Sequence, residues 1–307
     1  MGLAGKVVRM KPRRLLLFGA LLFFLASAVG IVLGVGSALS APHNYDLPPP
    51  DPLLKAEEVR YPSDSGATLS AWLVTPEEPR AGVVLLHGIH ADRRAMLGRA
   101  ALLSASGFVC LLPDLQGHGE SLGERITFGY LESSDALASV DYLRARYPAL
   151  RIGGIGLSLG GASFLLAGER LEVDALVVES VYATIEEAVG NRISMRVGPF
   201  SRLLTPLLLV QLGPRLGFRS EDLRPVERIE NLKCPCYIVS GAEDRCTPEA
   251  EARRLYEAAP DPKELWMVSG AGHVDLLERD PRGYRENILP FLTEHLVEKK
   301  VASDSTE

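Results

Sequence analysis

From residue 57 to residue 298, short and nearly charge-free runs take turns with longer segments of helical period. "TLSAWLVT" (68–75), "GVVLLHG" (82–88), "FVCLLPD" (108–114), "IGGIG" (152–156), "ALVVES" (175–180), "CYIVSG" (236–241) and residues 264–269 read as strands. Runs as continuous as 82–88 suit strands covered on both faces. Between them, residues 91–106, 134–147, 159–169, 248–259 and 281–298 read as helices. Leu137, Val140, Leu143 and Tyr147 recur at helical spacing, and Gly107 is placed to cap the first helix. Strands that alternate with helices predict an α/β fold: a mostly parallel central sheet with helices on both faces. The pattern lapses over 184–233, a helical, partly amphipathic segment without a strand, which reads as an insertion.

A second feature lies ahead of this pattern. "LLLFGALLFFLASAVGIVLGVGSAL", Leu15–Leu39, holds no charge over 25 positions. As a helix it would be about 37 Å long, enough to span a bilayer, and it has no polar face to turn to water. A signal peptide has a shorter apolar region, although "SALSA" (37–41) offers a cleavage site and a secreted product is the alternative. The preferred reading divides the chain into a basic segment (1–14), a transmembrane signal anchor (15–39), a Pro-rich spacer (40–56), the α/β domain (57–298) and a disordered tail (299–307). Lys6, Arg9, Lys11, Arg13 and Arg14 precede the span with no acidic residue among them. This puts the N-terminus in the cytoplasm and the large domain on the far side. Gly30 and Gly34 form a G-x-x-x-G on which two such helices could pair weakly.

The first 40 residues hold five basic residues and no acid, so the remainder carries 28 basic against 39 acidic residues, a net charge of -11. Such a domain argues against nucleic acid or an anionic lipid surface as its main partner. Cys110, Cys234, Cys236 and Cys246 lack the spacing of a zinc or redox site and read as packing residues, with a disulfide left open.

The chemistry centres on "GLSLG" (156–160). Ser158 follows a predicted strand and opens a predicted helix, the setting of a nucleophile on a sharp turn. Gly156 and Gly160 keep side chains out of that turn, and the helix N-terminus adds a positive dipole end. A serine hydroxyl needs a base, and the base needs an orienting acid. His273 lies in a glycine-rich loop past the last predicted strand, and Asp244 lies past the strand before it. Such loops at the carboxyl ends of parallel strands are where sites form in these sheets. Glu179, which also ends a strand, is the competing acid. Asp275 and Asp280 read as caps, His87 and His118 as structural, His43 and His295 as lying outside the site, and His90 as solvent-facing. "LTPLLLVQLG" (204–213) is apolar enough to line an acyl pocket or touch a bilayer but too short to span one.

Over residues 57–298 the chain resembles the α/β-hydrolase superfamily. The resemblance rests on "LLHG" (85–88), "DLQGHGES" (114–121), "GLSLG" (156–160), "GAEDRCTP" (241–248) and "GAGHVDLLERDP" (270–281). Within it, the ending "PKELWMVSGAGHVDLLERDP" looks most like the membrane-anchored Bem46-like and serine aminopeptidase-like hydrolases. The resemblance implies a Ser158–Asp244–His273 triad, an oxyanion hole from the backbone N–H groups of Leu159 and Ile89, and a lid at 184–233. "HGIH" stands where some esterases have "HGGG", which alters the loop around His87 and Gly88 but keeps the donor. It implies no metal and no organic cofactor. The expected reaction is hydrolysis of an ester, thioester or amide of a small acyl substrate through an acyl-enzyme, with a carboxylesterase first. A serine aminopeptidase, an acyltransferase and a non-catalytic membrane-anchored binding module are the alternatives.

Overall fold

The computed structural model of the chain describes residues 12–50 and 52–297. The expected basic residues Lys6, Arg9 and Lys11 and the expected disordered tail at 299–307 lie outside the described residues. The chain divides into an N-terminal unit ending at Leu39 and a compact unit that begins at Ser40. The first is a helix, α1 (Pro12–Leu39), whose stretch Leu16–Leu39 has a mean hydropathy of 2.7 and is long and apolar enough to cross a membrane. Among its described side chains, large apolar ones such as Leu17, Phe18, Phe23, Phe24, Val29 and Ile31 are exposed around the helix, a distribution that water does not favour.

The second unit opens on a two-residue strand, β1 (His43–Asn44), which pairs in parallel with β6 (His118–Gly119). Its main sheet comprises β2 (Glu57–Pro62), β3 (Thr68–Val74), β4 (Ala81–Leu86), β5 (Phe108–Pro113), β7 (Ile152–Leu157), β8 (Ala175–Glu179), β9 (Cys236–Gly241) and β10 (Lys263–Val268), in the order β10-β9-β8-β7-β4-β5-β3-β2. Only the pairings β2–β3 and β3–β5 are antiparallel, so β3 alone runs against the rest. The continuous apolar runs are explained by the period of two. Val83 and Leu85 enter one buried cluster, with α2 (Leu97–Ser104) and α11 (Pro281–Leu296); Val84 and Leu86 enter another, with α3 (Glu132–Arg146), α4 (Leu159–Ala167) and α9 (Glu249–Ala258). Each face of the strand has its own helical cover, so neither can be polar.

The helix expected over 91–106 is split. Asp92 accepts the N–H of Arg94 and starts a 3-10 turn over Arg93–Met96, after which α2 runs only to Ser104. Gly107 follows with φ +88°, the left-handed stop anticipated there. Between β8 and β9 the chain is helical, as expected: α5 (Ile185–Val197), α6 (Ser201–Leu209), α7 (Leu212–Leu216) and α8 (Pro225–Arg228), joined by 3-10 turns. A further short helix, α10 (Leu276–Arg279), lies between β10 and α11.

The segment expected as a free spacer differs most from expectation. Residues 40–47 are fastened to the loop after β5. The Ser40 carbonyl accepts the N–H of Ile126, His43 N–H donates to the Gly117 carbonyl at 2.6 Å and Tyr45 N–H to Gly119 at 3.0 Å. The Asn44 amide donates to the Gly119 and Ser121 carbonyls, the Tyr45 hydroxyl to Asp92 at 2.5 Å, and Leu47 N–H to Glu120. Prolines favour an extended backbone, and an extended backbone is also what strand pairing requires. The compact unit therefore starts 17 residues ahead of the expected boundary at 57. All four cysteines are free thiols, and Cys110, Cys234 and Cys236 are buried.

Candidate active site

The parallel strands deliver the chemistry-bearing residues to one edge, past their carboxyl ends. Ser158 sits between β7 and α4 with φ +50° and ψ −107°, a backbone that L-residues rarely adopt. Two backbone hydrogen bonds fix it there: Ser158 N–H donates to the Glu179 carbonyl at 2.8 Å, and Ala162 N–H donates to the Ser158 carbonyl at 2.9 Å. The flanking glycines are set by close approach. A Cβ on Gly156 would overlap the backbone of Gly160 and Gly161, and one on Gly160 would overlap the Leu86 carbonyl. The strain at Ser158 thus stands inside a turn that no larger neighbour would permit.

The loop after β4 lies against this turn. A Cβ on Gly88 would be 3.7 Å from the Ser158 Cβ, ordinary contact distance. His87 Nε2 accepts the N–H of Leu115 at 3.1 Å, which leaves its Nδ1 proton for the Gly88 carbonyl at 2.7 Å. His118 Nδ1 lies 3.0 Å from the Gln116 carbonyl. Burial pushes the pKa of both rings down, that of His118 to about 3, so both are neutral; His87 ties the loops after β4 and β5 together, and His118 bonds within its own loop. Asp114, from the same motif as His118, is another tie: it accepts from the Arg93 N–H and guanidinium and from Glu120 N–H. Ile89 follows Gly88, and Leu159 is the first residue of α4, where no helical carbonyl reaches its N–H. His43 and His90 face each other across 5.7 Å near the fastened segment, and His295 packs on Phe291 in α11.

His273, between β10 and α10, points at Ser158. Its Nε2 is 3.4 Å from Ser158 Oγ, and its Nδ1 is 2.7 Å from Asp244 Oδ2. Asp244 follows β9 and its side chain is wholly buried. Burial would raise its pKa, but the hydrogen bond from His273, joined by those from the Thr247 N–H and hydroxyl, outweighs this and holds the carboxyl below its ordinary value. An ionised Asp244 only accepts, so Nδ1 of His273 carries the proton and Nε2 keeps a lone pair toward Ser158. The other donors to Asp244 are Cys246 N–H at 2.7 Å, Thr247 N–H at 2.9 Å and Thr247 Oγ1 at 2.7 Å. Thr247 was not singled out from the sequence, although the Asp-x-x-Thr spacing of "DRCT" is a local signal for such a turn.

Glu179, the competing acid, is engaged elsewhere. Both its oxygens accept from Arg99, at 3.0 and 2.6 Å, and Oε1 also accepts from the Tyr284 hydroxyl at 2.6 Å. Arg99 in turn holds Asp275, two residues past His273, at 2.8 Å. Arg99 and Glu179 are completely buried. Arg99 lies inside the helix expected over 91–106, and its only sequence signal is that it is the lone charge in "LGRAALLS". Asp275 caps α10 through Leu277 and Glu278 N–H, and Asp280 caps α11 through Gly283 N–H, as expected of both.

Asp244, Cys246 and His273 bring ligand-capable atoms within 4.8 Å of one another. The donor set does not suit a cation. The Asp244 oxygens already accept four hydrogen bonds, and burial raises the Cys246 pKa, which keeps a thiol where a metal needs a thiolate.

The fold recurs in known proteins. An esterase of Pyrococcus furiosus superposes with a TM-score of 0.69 over 84% of this chain and 98% of its own, at 22% identity, which shows an α/β-hydrolase fold. The Bacillus subtilis protein YqkD is 25% identical over 75% of this chain and 77% of its own length. Human monoglyceride lipase is 28% identical over 64% of this chain and 76% of its own. A family model described as serine aminopeptidase, S33, matches residues 77–231, just over half of the 307 residues, and the chain belongs to that family of α/β hydrolases.

Proposed function

We propose that the chain is a serine hydrolase of carboxylic esters, working through an acyl-enzyme on Ser158 and carried by α1 as a membrane anchor with its N-terminus in the cytoplasm. The observation that carries this reading is the continuous line from Ser158 Oγ through His273 to the buried, ionised Asp244, at 3.4 and 2.7 Å. The longer contact exceeds the 2.6–3.2 Å of a working pair, and such contacts shorten as substrate seats. In the first half-reaction Oγ bonds to the carbonyl carbon while its proton passes to His273 Nε2. The imidazolium is stabilised by Asp244 and returns that proton to the leaving alcohol. In the second, water gives its proton to Nε2 and attacks the acyl carbon, releasing the acid and the Ser158 hydroxyl. The developing oxyanion lies between the N–H groups of Leu159 and Ile89. The inward side of the insertion at 184–233, with Ile185, Ala188, Leu212 and Phe218 buried, acts as the lid that bounds the acyl pocket.

The test is labelling of the full chain by a fluorophosphonate, with p-nitrophenyl acetate and butyrate turnover. Labelling that disappears in Ser158→Ala together with turnover is expected. A folded wild type that neither labels nor turns over would sink the triad and favour a binding module. The family description favours a second reading, cleavage of N-terminal residues from peptides. Aminoacyl p-nitroanilides in the same assay decide between the two, and product analysis with added alcohol detects acyl transfer.

A further inference from the structure

We infer that the outer face of the helical insertion is a docking surface for the lipid bilayer in which α1 is anchored, and that the site draws its acyl esters from that bilayer. This rests on the hydrolase and anchor readings above and adds the source of the substrate. Phe200, Leu203, Leu207 and Val210 recur along one face of α6 and the turn before it, and Phe200, Leu203 and Val210 are 72, 68 and 69% exposed. Met195 and Val197, at the end of α5, extend the patch. Residues 185–216 are apolar enough on average to resemble a membrane span. They cannot act as one: α5, α6 and α7 are separate helices of 13, 9 and 5 residues, broken at Gly198-Pro199, and nine residues of helix rise only about 14 Å. Short helices with one exposed apolar face lie in the interface instead.

Charge points the same way. Residues 188–220 hold five arginines, Arg192, Arg196, Arg202, Arg215 and Arg219, and no acidic residue, inside a chain of net charge -6. The mean charge of the domain, which argues against an anionic surface, conceals this segment. Arg196, Arg202 and Arg219 are exposed beside the apolar face, where long cationic side chains reach lipid phosphates. The tether completes the argument. The apolar span ends at Leu39, Ser40 is already buried in the compact unit, and residues 40–47 are fastened to the loop past β5. That loop stands at the same strand edge as Ser158 and His273. The chain therefore enters the compact unit at the edge that carries Ser158 and His273.

The test uses the full chain in vesicles of phosphatidylcholine with about one-fifth anionic lipid. Phe200→Trp reports docking without reference to catalysis. Its fluorescence, measured above the wild-type background of Trp72 and Trp266, is expected to be quenched by lipids brominated along the acyl chain and shielded from aqueous acrylamide. Catalysis is read with Phe200, Leu203, Leu207 and Val210 all changed to Ser. Hydrolysis of 4-methylumbelliferyl oleate held in the vesicles is expected to fall by at least about tenfold, while p-nitrophenyl butyrate turnover stays within about twofold. Acrylamide quenching without lipid quenching, or an unchanged rate on the vesicle ester, overturns the inference. Lipid quenching by a protein that turns over neither ester overturns the hydrolase reading and leaves the docking surface standing.

Discussion

Glu179 ends β8 and Asp244 follows the adjacent parallel strand β9; both are buried at the same edge of the sheet, yet they meet different partners. Asp244 meets His273 and a ring of local donors from Cys246 and Thr247. Glu179 meets Arg99 and Tyr284, and its backbone carbonyl holds the N–H of Ser158. One carboxylate holds a ring that points at Ser158, and in the proposed reaction it would steady that ring as it gains and loses a proton. The other neutralises a permanent cation, and through Arg99 and Asp275 it ties the serine turn to the histidine loop. A buried carboxylate takes its role from the charge it faces, and that partner lies far away in sequence.

The contrast can be broken most forcefully at Asp244. Asp244→Asn is expected to lower kcat/KM by about 10⁴-fold, because the amide no longer fixes the His273 tautomer, while the thermal midpoint stays near that of the wild type. Steady-state ester kinetics beside calorimetry check both. Arg99→Met should do the reverse. It leaves the buried Glu179 and the half-buried Asp275 without their cation and is expected to cost about 3–5 kcal/mol in urea denaturation, with fluorophosphonate labelling retained by the folded fraction. A stable Arg99→Met protein that fails to label would assign the Glu179 group to the chemistry and erase the distinction. Thr247→Val removes one donor from Asp244 Oδ2 and is expected to slow turnover by about tenfold, a loss of about 1.5 kcal/mol.

The smallest effect concerns acid. Burial raises the Asp275 pKa, but Arg99 and the Leu277 and Glu278 N–H groups outweigh that and hold it below its ordinary value. The unfolded chain therefore takes up this proton first. The stability that Asp275 adds is complete above the unfolded value, near pH 4, and is lost as pH falls through the lower folded value. Asp275→Asn should cost about 1–2 kcal/mol at neutral pH, and its difference from wild type should shrink below pH 4. A difference that grows with acid would show that Arg99 does not hold Asp275 ionised.

What the sequence reveals about this edge follows from range. Strands β4, β5 and β8 are legible because each is a run apolar on both faces, and Ser158 is legible because strand, glycine, serine and helix are contiguous. His273 and Asp244 are placed by the ends of their strands, and Asp244 is preferred to Glu179 by resemblance alone until the strand order sets β9 beside β10. Arg99 looks like the polar side of α2 because helical period cannot say that Glu179 waits on the far side. The fastening of residues 40–47 is hidden for the same reason: β1 pairs with β6 some 75 residues on, and a proline-rich stretch reads as a spacer when no partner is in view.

The fastened segment also bears on whether the compact unit can be separated from α1. The "SALSA" stretch at 37–41 contains Ser40, which is buried, with its carbonyl bonded to Ile126, and β1 begins two residues after Ala41. A protease reaches such a bond only in the fraction of molecules in which it has come loose. Cleavage there is thus a race with folding: a chain severed before β1 docks would be shed, and one that folds first would keep its helix.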